Sequence, residues 1–299
     1  MRTEYSSTER SAKGGTYPAV IPVAGRGSRL ARLTRFGSKE LLPLGDDVTL
    51  AYILAELQEG GVREVVLVSR AEKRDIAAFV ELAERERLFE LSIRIVEQGR
   101  VPGNGGAILS AASVIGPRPF LVVWGDEVFL GPSRIRQLLV GFESLREPCI
   151  ALTRVPDCDV PKCGIAETVP AENGHLRVQR LLEKPHPSET ESRWASVGGF
   201  VLEQRIVALL AEQAPAPDGE VYLSTALDAA ARSGALYGVA LEAQWFETGS
   251  YKGYARAFSA LADARGLTVP TAGQLDHHPV QGPWRAVNLS DVWHDTRRI

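Results

Sequence analysis

The chain has 299 residues, of which 44% are hydrophobic and 24% charged, and its formal net charge is −3. These values are typical of a soluble globular protein and exclude a disordered chain and a small disulfide scaffold. Without a basic excess the protein is not expected to bind nucleic acid, so any phosphorylated ligand must be held by local groups.

The expected cellular location follows from the distribution of apolar residues. Residues 1–17 lack the apolar core of a signal peptide, and the sequence contains no run of about 18 apolar residues that could cross a membrane. We therefore expect a cytoplasmic protein without a membrane contact. Cys149, Cys158 and Cys163 lack the spacing of a zinc site and are expected to be reduced thiols.

The first half of the chain alternates between strand and helix patterns. After a polar stretch that predicts a mobile tail over residues 1–16, a short apolar strand at residues 19–23 runs into a glycine loop. Further strands are predicted at 64–69, 91–96 and 120–124, and helices at 49–58, 74–86 and 106–115. Strands separated by helices favour a Rossmann-like, mainly parallel sheet flanked by helices, over about residues 17–150.

The second half is less regular and predicts an α+β extension over about residues 151–264, which forms the other wall of a cleft. Strands are predicted at 149–154, 176–182 and 197–202, and helices at 204–212, 221–232 and 251–264. The C-terminal tail, residues 265–299, carries no assignable chemistry. His277 and His278 are adjacent and predict a surface loop rather than a metal pair. The sequence leaves open whether the last helix or the tail forms a homo-oligomer.

A glycine loop is the strongest local signal for chemistry. It reads Gly25-Arg26-Gly27-Ser28-Arg29-Leu30 and follows a buried strand, so its backbone N–H groups can approach phosphate oxygens. Arg29 and the later Lys39 can neutralise a triphosphate. Leu30 stands where a Rossmann fingerprint needs a third glycine, and the Gly-Lys-Ser/Thr of a P-loop is missing.

Two further stretches suggest ligand contacts. Asp126 follows a buried strand, and a carboxylate at this edge of the sheet can hold Mg²⁺ against an α-phosphate. The alternative is that Asp126 caps a helix. The amide of Gln98 begins a glycine-rich loop that continues to Gly106, and an amide matches the edge of a pyrimidine. This stretch can equally be an ordinary glycine-rich start of a helix.

These motifs together resemble a known enzyme family. The run Ile21-Pro22-Val23-Ala24-Gly25-Arg26-Gly27-Ser28-Arg29, followed by Lys39-Glu40-Leu41-Leu42-Pro43-Leu44, is similar to the signature of sugar-1-phosphate nucleotidyltransferases, in the wording found in bacterial UTP–glucose-1-phosphate uridylyltransferases. The resemblance spans about residues 18–262. It continues in family order through the segments 98–107, 183–185, 197–200, 219–223 and 245–249.

The resemblance implies transfer of a nucleotidyl group from UTP to glucose 1-phosphate, with pyrophosphate released and Mg²⁺ as cofactor. The catalytic residues that it implies are Arg29, Lys39 and Lys184. The nucleotide-binding residues are Ala24, Gly25, Gly27, Ser28, Gln98, Gly103 and Gly105. The sugar-binding residues are Gly164, Glu183, Gly198 and Glu220. The implied metal ligands are Asp126 and Glu247.

The sequence departs from the family pattern at two positions. Gly106 stands where the uridylyltransferases often carry His, and Glu247 stands where the family usually carries Asp. Thymidylyl transfer, or a specialised sugar phosphate as substrate, therefore stays open, as does a non-catalytic paralogue that only binds sugar nucleotides. A glycosyltransferase is disfavoured because it usually needs Asp-Xaa-Asp, whereas this chain has Gly125-Asp126-Glu127.

Overall fold

The computed structural model describes residues 17–267. The mobile tail predicted over residues 1–16 and the loop predicted at His277 and His278 lie outside the described residues. Of the predicted C-terminal tail, only residues 265–267 are described.

The described chain is built of alternating helices and strands. The strands are β1 Ala19–Pro22, β2 Pro43–Leu44, β3 Asp47–Val48, β4 Glu64–Ser69, β5 Ser92–Glu97, β6 Phe120–Val122, β7 Glu127–Leu130, β8 Cys149–Arg154, β9 Gly164–Pro170, β10 Leu176–Glu183, β11 Trp194–Leu202, β12 Tyr237–Ala240 and β13 Gln244–Glu247. The α-helices are α1 Thr49–Glu59, α2 Arg74–Arg85, α3 Gly103–Ile115, α4 Arg134–Leu145, α5 Gln204–Glu212, α6 Leu223–Arg232 and α7 Tyr251–Ala264.

A nine-stranded sheet forms the centre, with the order β5-β4-β1-β6-β11-β8-β12-β10-β9. Its first four strands are parallel, which confirms the predicted Rossmann-like α/β fold. β11 joins β6 and β8 antiparallel, and β12 returns parallel to β8. The second half is more antiparallel because β9 and β10 are joined by a short turn, whereas parallel strands need long crossovers.

Apolar residues cover both faces of the sheet. Successive residues of β1 alternate between two core clusters: Ala19 and Ile21 lie in one, and Val20 lies in the other. All three are fully buried. Such a strand has no solvent face, which explains why its sequence reads as a continuous apolar run.

Most predicted elements agree with the structure to within a few residues. Helix α3 begins at Gly103, three residues before the predicted start at Gly106. The strands β7 and β13 were not predicted, and they pair antiparallel with Glu127 opposite Glu247. This small sheet brings two distant parts of the chain to the same edge of the fold. Within the described part, no helix is long and apolar enough to cross a membrane.

Candidate active site

The candidate site lies at a switch in strand order. β1 pairs with β4 on one side and with β6 on the other, so the loops that follow β1 and β6 leave the same edge of the sheet next to each other. In open α/β sheets, ligands bind at the carboxyl ends of the strands at such a point. The glycine loop follows β1 here, and Asp126 follows β6.

The glycine loop leaves its backbone open beside Lys39. Gly27 has a φ of 67°, a left-handed conformation that disfavours other residues, and Ser28–Leu30 then forms a 3₁₀ turn. Buried Leu30 anchors this turn, while Arg29 is exposed. A Cβ atom built on Gly25 would lie 4.0 Å from Lys39 Cε. The predicted phosphate-binding loop and the predicted catalytic lysine are therefore neighbours.

Lys39 forms an ion pair with Asp126, with 2.5 Å between Nζ and Oδ2. Burial opposes ionisation of Asp126, but the charges of Lys39 and Arg29 outweigh it and lower the pKa of Asp126 below its ordinary value. Burial likewise opposes the charge of Lys39, but Asp126 and Glu40 raise its pKa overall. Both side chains are thus charged near neutral pH.

The residues that flank Lys39 are fixed to the start of α2. Glu40 is 1% exposed, and its Oε2 lies 2.7 Å from Lys73 Nζ. The hydroxyl of Ser38 donates to Asp75 Oδ1 at 2.9 Å. Lys73 and Asp75 were not predicted as part of the site, because the burial of Glu40, which requires a cationic partner, is evident only from the structure. These contacts hold the backbone at Lys39 in place.

Glu247 reaches the same site through the β7–β13 sheet. The backbone N–H of Thr248 donates to Asp126 O at 2.7 Å. A Cβ atom built on Gly249 would lie 2.8 Å from Asp126 Oδ2, 3.4 Å from Arg29 Nη2 and 3.5 Å from Glu247 Oε2. The absent side chain of Gly249 thus leaves a small cradle between two carboxylates and a guanidinium.

The residues around this cradle fit a magnesium ion. Mg²⁺ prefers oxygen ligands and is usually held by one or two carboxylates together with substrate phosphates and water. Asp126 and Glu247 supply two carboxylates, and the described residues contain no cluster of three or more His, Cys, Asp or Glu side chains that could hold a metal without a substrate. Glu247 Oε2 also accepts from Gly249 N at 3.0 Å, which orients the longer side chain.

Glu127 links Asp126 to the second half of the sheet. Its Oε2 accepts from Gly198 N at 2.6 Å and from Trp245 Nε1 at 2.8 Å. Burial, together with the charge of Asp126, raises the pKa of Glu127 to about 7, although Gly198, Arg134 and Trp245 act in the other direction. Neither Arg134 nor Trp245 was predicted as a site residue, although Trp245 begins the segment 245–249, and Glu127 was noted only as a neighbour of Asp126.

The predicted sugar-binding residues of β9, β10 and β11 lie together. Gly164 stands opposite Glu183 on one side and Ser196 on the other. Lys184 adopts a φ of 46°, and its Nζ lies 3.4 Å from Glu183 Oε1. Glu183 and Lys184 are both exposed, so they are accessible to a ligand.

The predicted base-binding loop is partly occupied by its own contacts. Gln98 Nε2 donates to Val101 O at 3.1 Å and to Gly103 O at 3.0 Å. Gly105 N donates to Val221 O at 2.9 Å. Of the Gln98 side chain, only the amide oxygen is left to accept a hydrogen bond from a nucleotide base.

Close packing leaves no room for a side chain at two glycines of this loop, Gly103 and Gly106. A Cβ atom built on Gly103 would lie 3.0 Å from Glu220 Cβ, so Glu220 lies beside the predicted base loop. A Cβ atom on Gly106 would lie 2.0 Å from Val101 O. The carbonyl of Val101 therefore excludes a histidine at Gly106 in this backbone.

Comparison with protein families agrees with this geometry. A model of the family described as nucleotidyl transferase matches residues 18–264. The chain belongs to this family. This result confirms the resemblance inferred from the motifs, while the role of each residue in the nucleotidyltransferase stays a prediction.

Individual relatives of this nucleotidyltransferase carry consistent names. UTP–glucose-1-phosphate uridylyltransferase 2 of Streptococcus pyogenes is 28% identical over an alignment 259 residues long, which covers 79% of this chain and 87% of the relative. A UTP–glucose-1-phosphate uridylyltransferase of Bacillus subtilis is 29% identical over 80% of this chain and 87% of its own. A solved UDP-glucose pyrophosphorylase from Acinetobacter baumannii is 25% identical, with a TM-score of 0.73 over 85% of this chain and 98% of that one.

Proposed function

We propose that this nucleotidyltransferase transfers the uridylyl group of UTP to glucose 1-phosphate and gives UDP-glucose and pyrophosphate. The single observation that carries the proposal is the Lys39–Asp126 ion pair beside the glycine loop. It combines a cation for a triphosphate with a carboxylate for a metal at the point where α/β sheets bind nucleotides. The names of the relatives support UTP and glucose 1-phosphate as the substrates.

In the proposed reaction, a non-bridging oxygen of the sugar phosphate attacks the α-phosphorus of UTP. A new P–O bond forms, the bond from the α-phosphorus to the bridging oxygen breaks, and its electron pair leaves with pyrophosphate. A phosphate monoester has a second pKa near 6, so the attacking oxygen is already anionic and no general base is needed. Catalysis then depends on positioning and on the stabilisation of developing charge.

The residues of this chain divide that task between the two halves of the domain. Lys39 and Arg29 stabilise charge on the triphosphate, and the open backbone of the glycine loop contacts it. Lys184 binds the sugar phosphate, and Glu183 binds sugar hydroxyls, since both are exposed at the end of β10. We thus assign nucleotide binding to about residues 17–150 and sugar binding to about residues 151–264.

Asp126 and Glu247 would hold Mg²⁺ at the cradle beside Gly249. When bound, the ion supplies Lewis-acid stabilisation of charge on a phosphate oxygen. Glu247 lies on β13, and Asp126 directly precedes β7, the strand that pairs with β13. The backbone N–H of Thr248 also donates to Asp126 O at 2.7 Å, so the chain sets the separation of the two carboxylates before the substrate binds.

The proposal is tested by measuring pyrophosphate release with Mg²⁺ for UTP, dTTP, CTP, ATP and GTP, each with glucose 1-phosphate and several other sugar phosphates. Release with UTP and glucose 1-phosphate supports the proposal. Uracil and thymine differ by one methyl group, which is worth only about 1–3 kcal/mol of discrimination, so slower use of dTTP agrees with it as well. If folded protein binds nucleotide but releases no pyrophosphate with any pair of substrates, the proposal is contradicted and a non-catalytic paralogue is favoured.

A further inference from the structure

Gly198 is held on both sides by ionisable side chains. Its N–H donates to Glu127 Oε2 at 2.6 Å, and its carbonyl oxygen accepts from Arg134 Nη1. Glu127 and Arg134 come from β7 and the start of α4, so two elements outside the main sheet contact a single residue of β11. This arrangement is unusual because strand backbone normally pairs with other strands.

A break in the register of β11 explains why these contacts are available. Along β8, Val197 stands opposite Ala151 and Phe200 stands opposite Ile150, so Gly198 and Gly199 form a bulge between two successive partners. A bulge leaves backbone groups unpaired and re-aims the chain locally. Since Gly198 is buried, its N–H and carbonyl need other partners, and Glu127 and Arg134 supply them.

The side chains that hold Gly198 are themselves fixed. Arg134 is fully buried, and its Nη2 lies 2.8 Å from Glu56 Oε2. Its guanidinium also lies 4.1 Å from the ring centre of Phe129. Buried ion pairs contribute little stability over apolar residues of similar volume, so stability alone is a weak reason for this arrangement.

The bulge adjoins the proposed active site. Glu127 directly follows Asp126, the proposed metal ligand. A Cβ atom built on Gly198 would lie 2.7 Å from Trp124 Cδ1 and 2.9 Å from Glu127 Oε2, so no side chain fits here. Ser196, two residues before Gly198 on β11, stands opposite Gly164, which in turn stands opposite Glu183. The bulge therefore lies on the strand that connects the surroundings of Asp126 with the residues proposed to bind the sugar.

We propose that Glu127 and Arg134 are positioning residues of the sugar-phosphate subsite, which act by holding the backbone of Gly198 in place. The proposal deepens the proposed function and rests on it. Neither residue needs to touch the reacting atoms. A displaced Gly198 weakens the binding of the sugar phosphate and leaves the glycine loop and the nucleotide site intact.

The test compares KM values for the two substrates in matched variants. Glu127→Ala removes the acceptor of Gly198 N–H, while Glu127→Gln keeps an acceptor oxygen. Arg134→Met removes the donor but leaves Glu56 unpaired, so the double variant Glu56→Leu/Arg134→Met removes both charges in case the single variant does not fold. Arg118→Met is the control, because Arg118 forms a similar but exposed pair with Glu64, at 2.6 Å.

We expect Glu127→Ala and the double variant to raise KM for glucose 1-phosphate by about tenfold or more, with KM for UTP changed by less than about threefold. Glu127→Gln should keep the KM for glucose 1-phosphate close to the wild-type value, and Arg118→Met should behave as the wild type. Hydrogen exchange at the Gly198 amide should become faster in Glu127→Ala, in protein with unchanged overall protection.

Equal changes in both KM values, or an unchanged KM for glucose 1-phosphate with an active wild type, would overturn the positioning role. An unchanged exchange rate at Gly198 in Glu127→Ala would overturn it too. Failure of the proposed function looks different: the wild type then gives no pyrophosphate with any sugar phosphate, and the positioning role falls with it.

Discussion

The ammonium of Lys39 and the carboxylate of Asp126 contact each other across 87 residues of sequence, with 2.5 Å between Nζ and Oδ2. Each side chain keeps the other charged in a partly buried site. A nucleotide and a metal ion would therefore meet a preformed pair of opposite charges. The pair predicts how the site responds to the loss of one partner.

Lys39→Ala is expected to lower kcat by about 10²–10³-fold, because it removes a cation aimed at developing phosphate charge. The measurement is pyrophosphate release at saturating UTP and glucose 1-phosphate, with thermal unfolding recorded in parallel. Lys162→Ala is the control, since Lys162 lies 2.5 Å from Asp159 in an exposed pair outside the site. Wild-type turnover in Lys39→Ala would contradict the role of Lys39.

Gly249→Ala is expected to abolish most turnover while the protein stays folded. The new Cβ would lie 2.8 Å from Asp126 Oδ2 and would fill the cradle proposed for Mg²⁺. The concentration of Mg²⁺ that gives half-maximal activity should rise by about tenfold or more. Ser259→Ala, at an exposed position of α7, is the control. An unchanged Mg²⁺ requirement in Gly249→Ala would argue against a metal at this place.

Gly106→Ala tests why this chain departs from its family at that position. The added Cβ would lie 2.0 Å from Val101 O, so the start of α3 must shift. We expect a loss of about 1–3 kcal/mol in the free energy of unfolding, as for other overpacked positions, and a higher KM for UTP. Ser113→Ala, on the exposed side of the same helix, is the control. Wild-type stability together with wild-type KM would show that the loop is not closed as described.

Asp228 predicts part of the loss of stability in acid. Burial opposes its ionisation, but hydrogen bonds from Leu181 N, Arg232 and Arg180 outweigh it and lower the pKa below the ordinary 3.8. The stabilisation that ionised Asp228 contributes is fully present above pH 3.8, its ordinary pKa. It is lost as the pH falls through the lower pKa that Asp228 has in the folded protein. Asp228→Asn should therefore be less stable than the wild type at pH 7, and the difference should shrink in acid. Urea unfolding at several pH values measures it, and a constant difference would contradict the assignment.

The parallel part of the fold was predictable because its strands are buried on both faces and separated by helices, as at β1 and β4. The glycine loop and Asp126 could be placed together for the same reason, since both follow parallel strands. The antiparallel strands β7 and β13 carry mixed polar and apolar residues and gave no periodic signal.

Contacts made by single polar side chains over long sequence distances could not be predicted. Arg134 lies 64 residues from Gly198, and Lys73 lies 33 residues from Glu40. A sequence pattern records the helix face or strand end on which such a residue stands, but not which buried partner it meets. Gly106 shows the same limit, because only the backbone of Val101 reveals why no side chain fits there.

The most direct test of the account follows the oxygens of the sugar phosphate. The wild-type protein is incubated with UTP, Mg²⁺ and glucose 1-phosphate that carries ¹⁸O at its non-bridging phosphate oxygens. The masses of the products are then measured by mass spectrometry. Attack by the sugar phosphate on the α-phosphorus predicts UDP-glucose that retains every label and pyrophosphate that contains none. Label in the pyrophosphate, or the absence of UDP-glucose, would contradict the proposed reaction.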